Sequence, residues 1–234
     1  MTKRNNGFIG GMIQGIPIAL GYLSVSFGFG IMAVQAGLSV LQASLISLTN
    51  LTSAGQAAGV EVIAAGGSLL EMALVQFIIN IRYSLMALSL SQKLDDRFTL
   101  PHRLAAAYGI TDEIFGVCAA QEGKLVPSFM YGMICISTTG WVLGTFLGAA
   151  AGEILPASVT AALGIVLYGM FLAIIIPPSR KSKSVLFVVV LAAGLSVLIR
   201  WLIPVVSSGM TVILSGIAAS VMGALLFPRE EEDA

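Results

Sequence analysis

Charge is scarce in this chain of 234 residues. Twelve are Lys or Arg and 12 are Asp or Glu, 10% in all, where an ordinary soluble domain has about 25%. There is one histidine, His102, and there are two cysteines, Cys118 and Cys135. Each shortage excludes something. A formal net charge of zero leaves no large basic patch for nucleic acid. One histidine in a polar loop cannot build a His-ligated metal site, and no CxxC spacing occurs, so neither metal nor cofactor is expected. Two cysteines in apolar surroundings make no disulfide scaffold and read as reduced packing residues. No nucleophile–base pair can be assembled, so an enzyme is not expected. Ten-residue segments of alternating polarity are also missing, which excludes a membrane β-barrel.

What fills the space is apolar. Hydrophobic residues make up 57% and the mean hydropathy is +0.95. A soluble core cannot absorb that much apolar surface. No charged residue occurs from Asn5 to Val60, or in Leu125–Gly152, Ile154–Ser179 and Trp201–Pro228. A helix crosses a bilayer with about 20 apolar residues and satisfies its own backbone hydrogen bonds there. The expected fold is therefore all-α: a polytopic transmembrane bundle of about 6–8 membrane segments. A signal peptide is not expected, because the first apolar run continues far past the usual 7–15 residues. The whole chain, 1–234, reads as one integral membrane transporter domain. Residues 1–7 form its cytoplasmic N-terminus and 228–234 its cytoplasmic acidic tail.

The segments fall at about 8–36, 40–63, 69–92, 104–120, 126–151, 159–177, 185–203 and 209–227. The first is expected to be interrupted at Gly15-Ile16-Pro17 and the second at Ala54-Gly55-Gln56. The fourth is short and has Asp112-Glu113 in its middle. Basic residues favour cytoplasmic loops. If segments two and four are re-entrant, six helices span and all ten loop Lys/Arg lie inside: Lys3, Arg4, Lys93, Arg97, Arg103, Lys124, Arg180, Lys181, Lys183 and Arg229. If only segment two crosses, the split is eight to two; if both cross, it is seven to three. The re-entrant arrangement obeys the rule best. It also brings two short polar segments in from opposite sides, which suggests an inverted repeat.

Ionisable residues at membrane depth narrow the site. Each costs about 2.5–3.5 kcal/mol at the bilayer centre on insertion scales. Glu61 and Glu71 flank a Gly66-Gly67 turn and read as interfacial; Arg200, beside Trp201, reads as snorkelling. Arg82 and the Asp112-Glu113 pair remain. They make either a structural ion pair or the lining of an aqueous substrate cavity. Asn80 and Arg82 stand about 200° apart on a regular helix and do not share a face. Where a helix breaks, freed N–H groups suit a carboxylate and freed carbonyls suit an ammonium or a cation. Pro17, Tyr22, Gly55, Gln56, Asn80 and Arg82 are thus the expected substrate-binding residues, and Asp112 and Glu113 the expected proton-coupling ones. Gly140, Gly144, Gly148 and Gly152 form a small-residue stripe for close helix packing.

These motifs resemble the AzlC family, the large subunit of branched-chain amino acid exporters. The resemblance runs from about Gly11 to Phe227. It rests on GIPIALGYLSVSFGFG, SLTNLTSAGQ, NIRY at Asn80–Tyr83, TDEIFG at Thr111–Gly116 and GTFLGAAAG. Tyr83 stands where a histidine is expected. The resemblance implies export of leucine, isoleucine, valine or similar amino acids from a bacterial cytoplasm, across the inner membrane. It also implies a small AzlD-type membrane partner, for which the Gly140–Gly152 stripe is a candidate docking face. A proton-coupled secondary transporter is the function expected. A passive channel for a small solute and a non-transporting scaffold subunit are the alternatives.

Overall fold

In the computed structural model of the protein, residues 7–156, 158–159, 169, 172 and 175–228 are described. Among them run nine named helices: α1 (Phe8–Gln35), α2 (Val40–Thr49), α3 (Ala54–Ala64), α4 (Leu69–Ser91), α5 (Leu100–Tyr108), α6 (Asp112–Ala120), α7 (Pro127–Ile154), α8 (Lys183–Leu202) and α9 (Ser208–Leu226). Of these, α1, α4, α7, α8 and α9 are long and apolar enough to cross a membrane. The segment expected at 159–177 lies largely outside the described residues. The chain divides into two compact units, 1–57 with 79–167 and 58–78 with 168–234.

The first unit is built on α1 and α7. Each has 28 residues, about 42 Å at 1.5 Å per residue. They pack parallel, backbone against backbone, because glycine lines both faces. A Cβ on Gly132 would run into the Phe8 carbonyl, one on Gly140 into that of Ala19, one on Gly144 into that of Leu23 and one on Gly148 into that of Phe27. Gly11 and Gly30 of α1 return the same contact to Phe129 and Thr145. The stripe at Gly140, Gly144 and Gly148 is therefore covered by α1 of the same chain and offers a partner subunit no free face. Parallel α1 and α7 also exclude the topology in which only segment two crosses.

Pro17 does not interrupt α1, contrary to expectation. It removes one backbone N–H, but the helix on either side is clamped to α7, before it at Gly15 by Met133 and Ile136 and after it at Ala19 by Gly140. Such a loss is tolerated in a membrane helix held by a neighbour.

Segments two and four are both broken, each into two half-helices. After α1, the positive φ of Gly37 reverses the chain. Ser39 and Gln42 then form a reciprocal capping box that starts α2. Descending antiparallel to α7, α2 sets Ser47 on Thr145 and brings Leu51 against Trp141. The break lies at Asn50–Ser53, ahead of the expected Ala54-Gly55-Gln56, which instead forms the first turn of α3. Ser53 holds φ at 42°, a left-handed backbone rare outside glycine. Gln56 then returns alongside Ser47, so α2 and the first turn of α3 form a hairpin.

The second hairpin enters from the opposite end. Thr99 and Pro101 open α5, earlier than the expected start at 104. His102 meets Tyr131, and Tyr108, a turn and a half later, lies with Ile134 and Thr138, so α5 runs parallel to α7. The chain turns at Gly109–Thr111, and Thr111 caps α6 by accepting from the Ile114 N–H. α6 then runs back to the starting end. There Lys93 donates to the carbonyls of Ala119 (2.6 Å) and Gln121 (2.7 Å), a cation on a helix C-terminus. Gln121 donates to Gln14 of α1. Asp95 and Leu125 are joined through the backbone. Arg97 beside Asp95 holds that carboxyl below the usual carboxylate range. Each half-helix has nine residues, about 13 Å, roughly half the depth of a bilayer core.

In the second unit α8 and α9 run antiparallel. Phe187 meets Phe227 edge-on and Ser196 donates to Ser215. Glu71 accepts from Ser207, the N-cap of α9. No residue of α8 is buried, as suits a helix whose solvent is lipid.

Candidate functional site

Tyr22 and Trp141 stand near the midpoints of α1 and α7, their rings 5.3 Å apart at 80°. Both are buried. Leu51, from the turn of the first hairpin, packs on the pair. From the second hairpin, Glu113 accepts the Tyr22 hydroxyl at 2.6 Å, and Thr111 Oγ1 lies 2.5 Å from the same phenol oxygen. A phenol has one proton to donate, so Thr111 is the donor when Glu113 holds that proton's bond. Both hairpin turns therefore meet the α1–α7 pair at half depth. Tyr108, just before the second turn, donates to the Leu48 carbonyl in the last turn of α2, joining the hairpins directly.

The middle of α4 adds the charge. Arg82 pairs with Asp112 in the first turn of α6 at 3.0 Å. Its guanidinium also stands 5.1 Å over the Tyr83 ring. Two residues earlier, Asn80 accepts from Thr52 of the first turn. The opposite directions of Asn80 and Arg82 thus serve two different hairpins. A crossed pattern results. Thr52, in the hairpin after α1, bonds α4; Thr111, in the hairpin after α4, bonds α1. Within the first unit, α1 and the second half of α4 run in opposite directions and each is followed by a hairpin whose turn bonds the other, a plan seen in inverted repeats.

The ionic part of this cluster is open. The Arg82 and Asp112 side chains are 43% and 35% exposed, and Glu113 is exposed. Charges held at half depth and bare to lipid would be very costly, so such residues face the interior of a bundle or a water-filled cavity. Arg82 Nε has no partner, leaving the guanidinium donors to spare. Asp112 and Glu113 do not interrupt a segment; they occupy the first turn of α6, where its dipole favours acidic groups. Among the described residues no cluster of three or more His, Cys, Asp or Glu can hold a metal.

The expected site residues are thus partly brought together. Tyr22, Asn80, Arg82, Asp112 and Glu113 converge. Gly55 is buried in the first turn of α3, and Gln56 binds Ser47 on the first hairpin. Pro17 is exposed on α1, more than a turn from Tyr22, and belongs to no part of the cluster. Sequence reasoning missed Thr52, Thr111 and Trp141. Thr111 had a signal, a threonine immediately before two acids at a helix start. Trp141 had none, lying inside the glycine stripe.

Known proteins resemble the chain at this point. The family model described as AzlC protein matches residues 17–155, which contain the whole cluster. The inner membrane protein YgaZ of Escherichia coli is 31% identical over 230 residues, covering 94% of this chain and 90% of its own. An uncharacterized membrane protein of Archaeoglobus fulgidus is 32% identical over 218 residues, 92% of each chain. One from Helicobacter pylori is 28% identical over 142 residues, 59% of this chain and 61% of its own. No solved structure matches.

Proposed function

The chain belongs to the AzlC family of membrane proteins, and from that premise we propose that it is the permease subunit of a secondary transporter. Its substrates are branched-chain or similar apolar amino acids, exported across the cytoplasmic membrane of a bacterium with a small AzlD-type membrane partner. One observation carries this reading: two half-membrane hairpins from opposite ends meet at an open Arg82–Asp112–Glu113 cluster at half depth. Broken helices at the midplane, arranged as inverted repeats, are the usual site of alternating access. A passive channel needs a continuous lining of carbonyls or like charges, and the cluster instead mixes one cation with two acids.

Each residue has a task in this scheme. Arg82, with donors to spare, holds the substrate carboxylate. Asp112 neutralises Arg82 when substrate is absent. Glu113, bonded to the Tyr22 hydroxyl, takes and releases the coupling proton. Tyr22 reports that change to the α1–α7 core through its contact with Trp141.

Inverted vesicles containing the protein and its partner test the scheme. They should accumulate leucine in exchange for protons when an outward-directed proton gradient, acidic in the lumen, is imposed. Glu113→Gln should abolish the gradient dependence, and Arg82→Ala should raise the half-saturating leucine concentration by about tenfold or more, the loss of one charge-assisted contact. Flux that only equilibrates, whatever the gradient, would establish the channel instead.

A further inference from the structure

A second polar group lies within the first unit, apart from the ionic cluster. Ser26 of α1, Ser47 of α2, Gln56 of α3 and Thr145 of α7 come from four helices. Ser26, Ser47 and Thr145 are fully buried and Gln56 is 2% exposed. Thr145 Oγ1 and Ser47 Oγ are 2.7 Å apart, and the Gln56 amide nitrogen donates to Ser47 at 3.0 Å. Ser26 Oγ rests against the backbone of Gly144, the residue before Thr145; a Cβ on Gly144 would collide with it. One turn along α1, Gly30 packs on the Thr145 carbonyl.

This group is not satisfied by its own hydrogen bonds. Gln56 Oε1 and Ser26 Oγ are buried and have no partner. Orphaned buried polar atoms are rare because they cost about 1–3 kcal/mol each. The Gln56 orphan is an amide oxygen, which can only accept. It therefore calls for a donor or a positive charge, never an anion. Neutral hydroxyls and an amide cannot carry a transported proton. Ser47 and the Leu48 carbonyl lie in the last turn of α2, and such half-helix ends bind sodium in other broken-helix proteins.

We propose that Ser26, Ser47, Gln56 and Thr145 form a binding site for a small monovalent cation, sodium by preference over potassium. Hydroxyl and amide oxygens are hard ligands suited to such an ion. The site goes beyond the transporter reading and stands whether or not leucine is the substrate. These four oxygens answer to sodium, not to the ionic cluster around Arg82.

The experiment needs neither partner nor substrate. Trp141 lies one turn before Thr145, and the other tryptophan is Trp201. In the purified full chain with Trp201→Phe, sodium chloride is titrated against choline chloride at constant ionic strength. Trp141 fluorescence and the melting temperature are read together. A saturable change in both is expected with sodium and a weaker one or none with potassium. Gln56→Leu and Thr145→Val should each raise the sodium midpoint about tenfold, the loss of one contact between a charge and a neutral oxygen. Equal responses to sodium, potassium and choline would overturn the proposal, as would a response to ammonium chloride alone. Unchanged midpoints in both variants would overturn it too. If a variant fails to fold, the ion series on the parent chain decides by itself.

Discussion

Four glycines spaced four apart on α7 look equivalent in the sequence and differ in what they touch. At 140, 144 and 148 the α1 backbone occupies the place of a Cβ, whereas at Gly152 the nearest atom is Ile31 Cα at 3.4 Å, an ordinary contact. Gly148→Ala should therefore lose about 1–3 kcal/mol, the usual cost of overpacking a rigid seam. Gly152→Ala should stay within about 0.5 kcal/mol. Unfolding of the purified protein in detergent with increasing SDS measures both. Equal losses would mean that α1 and α7 do not pack in this register. Tyr22→Phe makes a different demand. It keeps the ring against Trp141 and removes the hydroxyl shared by Thr111 and Glu113. The proposed export, read as leucine uptake by inverted vesicles, should suffer much more than stability.

The hairpins are the elements most open to test. Residues 93–98 and 119–126 lie at one end of the α5–α6 pair, tied by Lys93 to the carbonyls of Ala119 and Gln121. In a chain with Cys118 and Cys135 replaced, Asp96→Cys and Glu122→Cys should both react with an impermeant maleimide from the same side. Labelling from opposite sides would mean that the segment crosses. Much of this was legible in the sequence. The gap between segments at 36–40 showed in Ala36-Gly37-Leu38-Ser39, a helix stop followed by a cap. The loop charges favoured two re-entrant segments. The break in the second segment was misplaced by a few residues, because glycine at 55 weakens a helix on paper while the turn is made by Ser53, which carries no such signal. Pro17 misled for the opposite reason: its local cost is overruled by packing on α7. The pairing of Thr52 with Asn80 and of Thr111 with Tyr22 lay beyond reach, since both join residues distant in the chain.

At the scale of the whole molecule, direction is the strongest constraint. α1 and α7 are parallel, so their first residues, Phe8 and Pro127, lie on one side. Lys93, Arg97, Arg103 and Lys124 belong to that same end of the first unit, with Lys3 and Arg4 preceding α1 in the sequence. By the positive-inside rule this end is expected to be the cytoplasmic one. Reporter fusions at the N-terminus and at Lys124 should both show cytoplasmic activity; a split result would refute the parallel pairing.

The glycine seam also sets a clock. α1 leaves the ribosome first, and the helix made to cover it follows roughly 120 residues later, about 6–24 s at ordinary synthesis rates of 5–20 residues per second. Throughout that interval a bare strip of backbone at Gly11, Gly15 and Gly30 waits in the bilayer, where small-residue faces attract any helix able to approach. The nascent chain thus depends on its insertion machinery to hold α1 apart from other helices until α7 is made, and slowing translation ahead of Pro127 should raise the share of chains that are degraded.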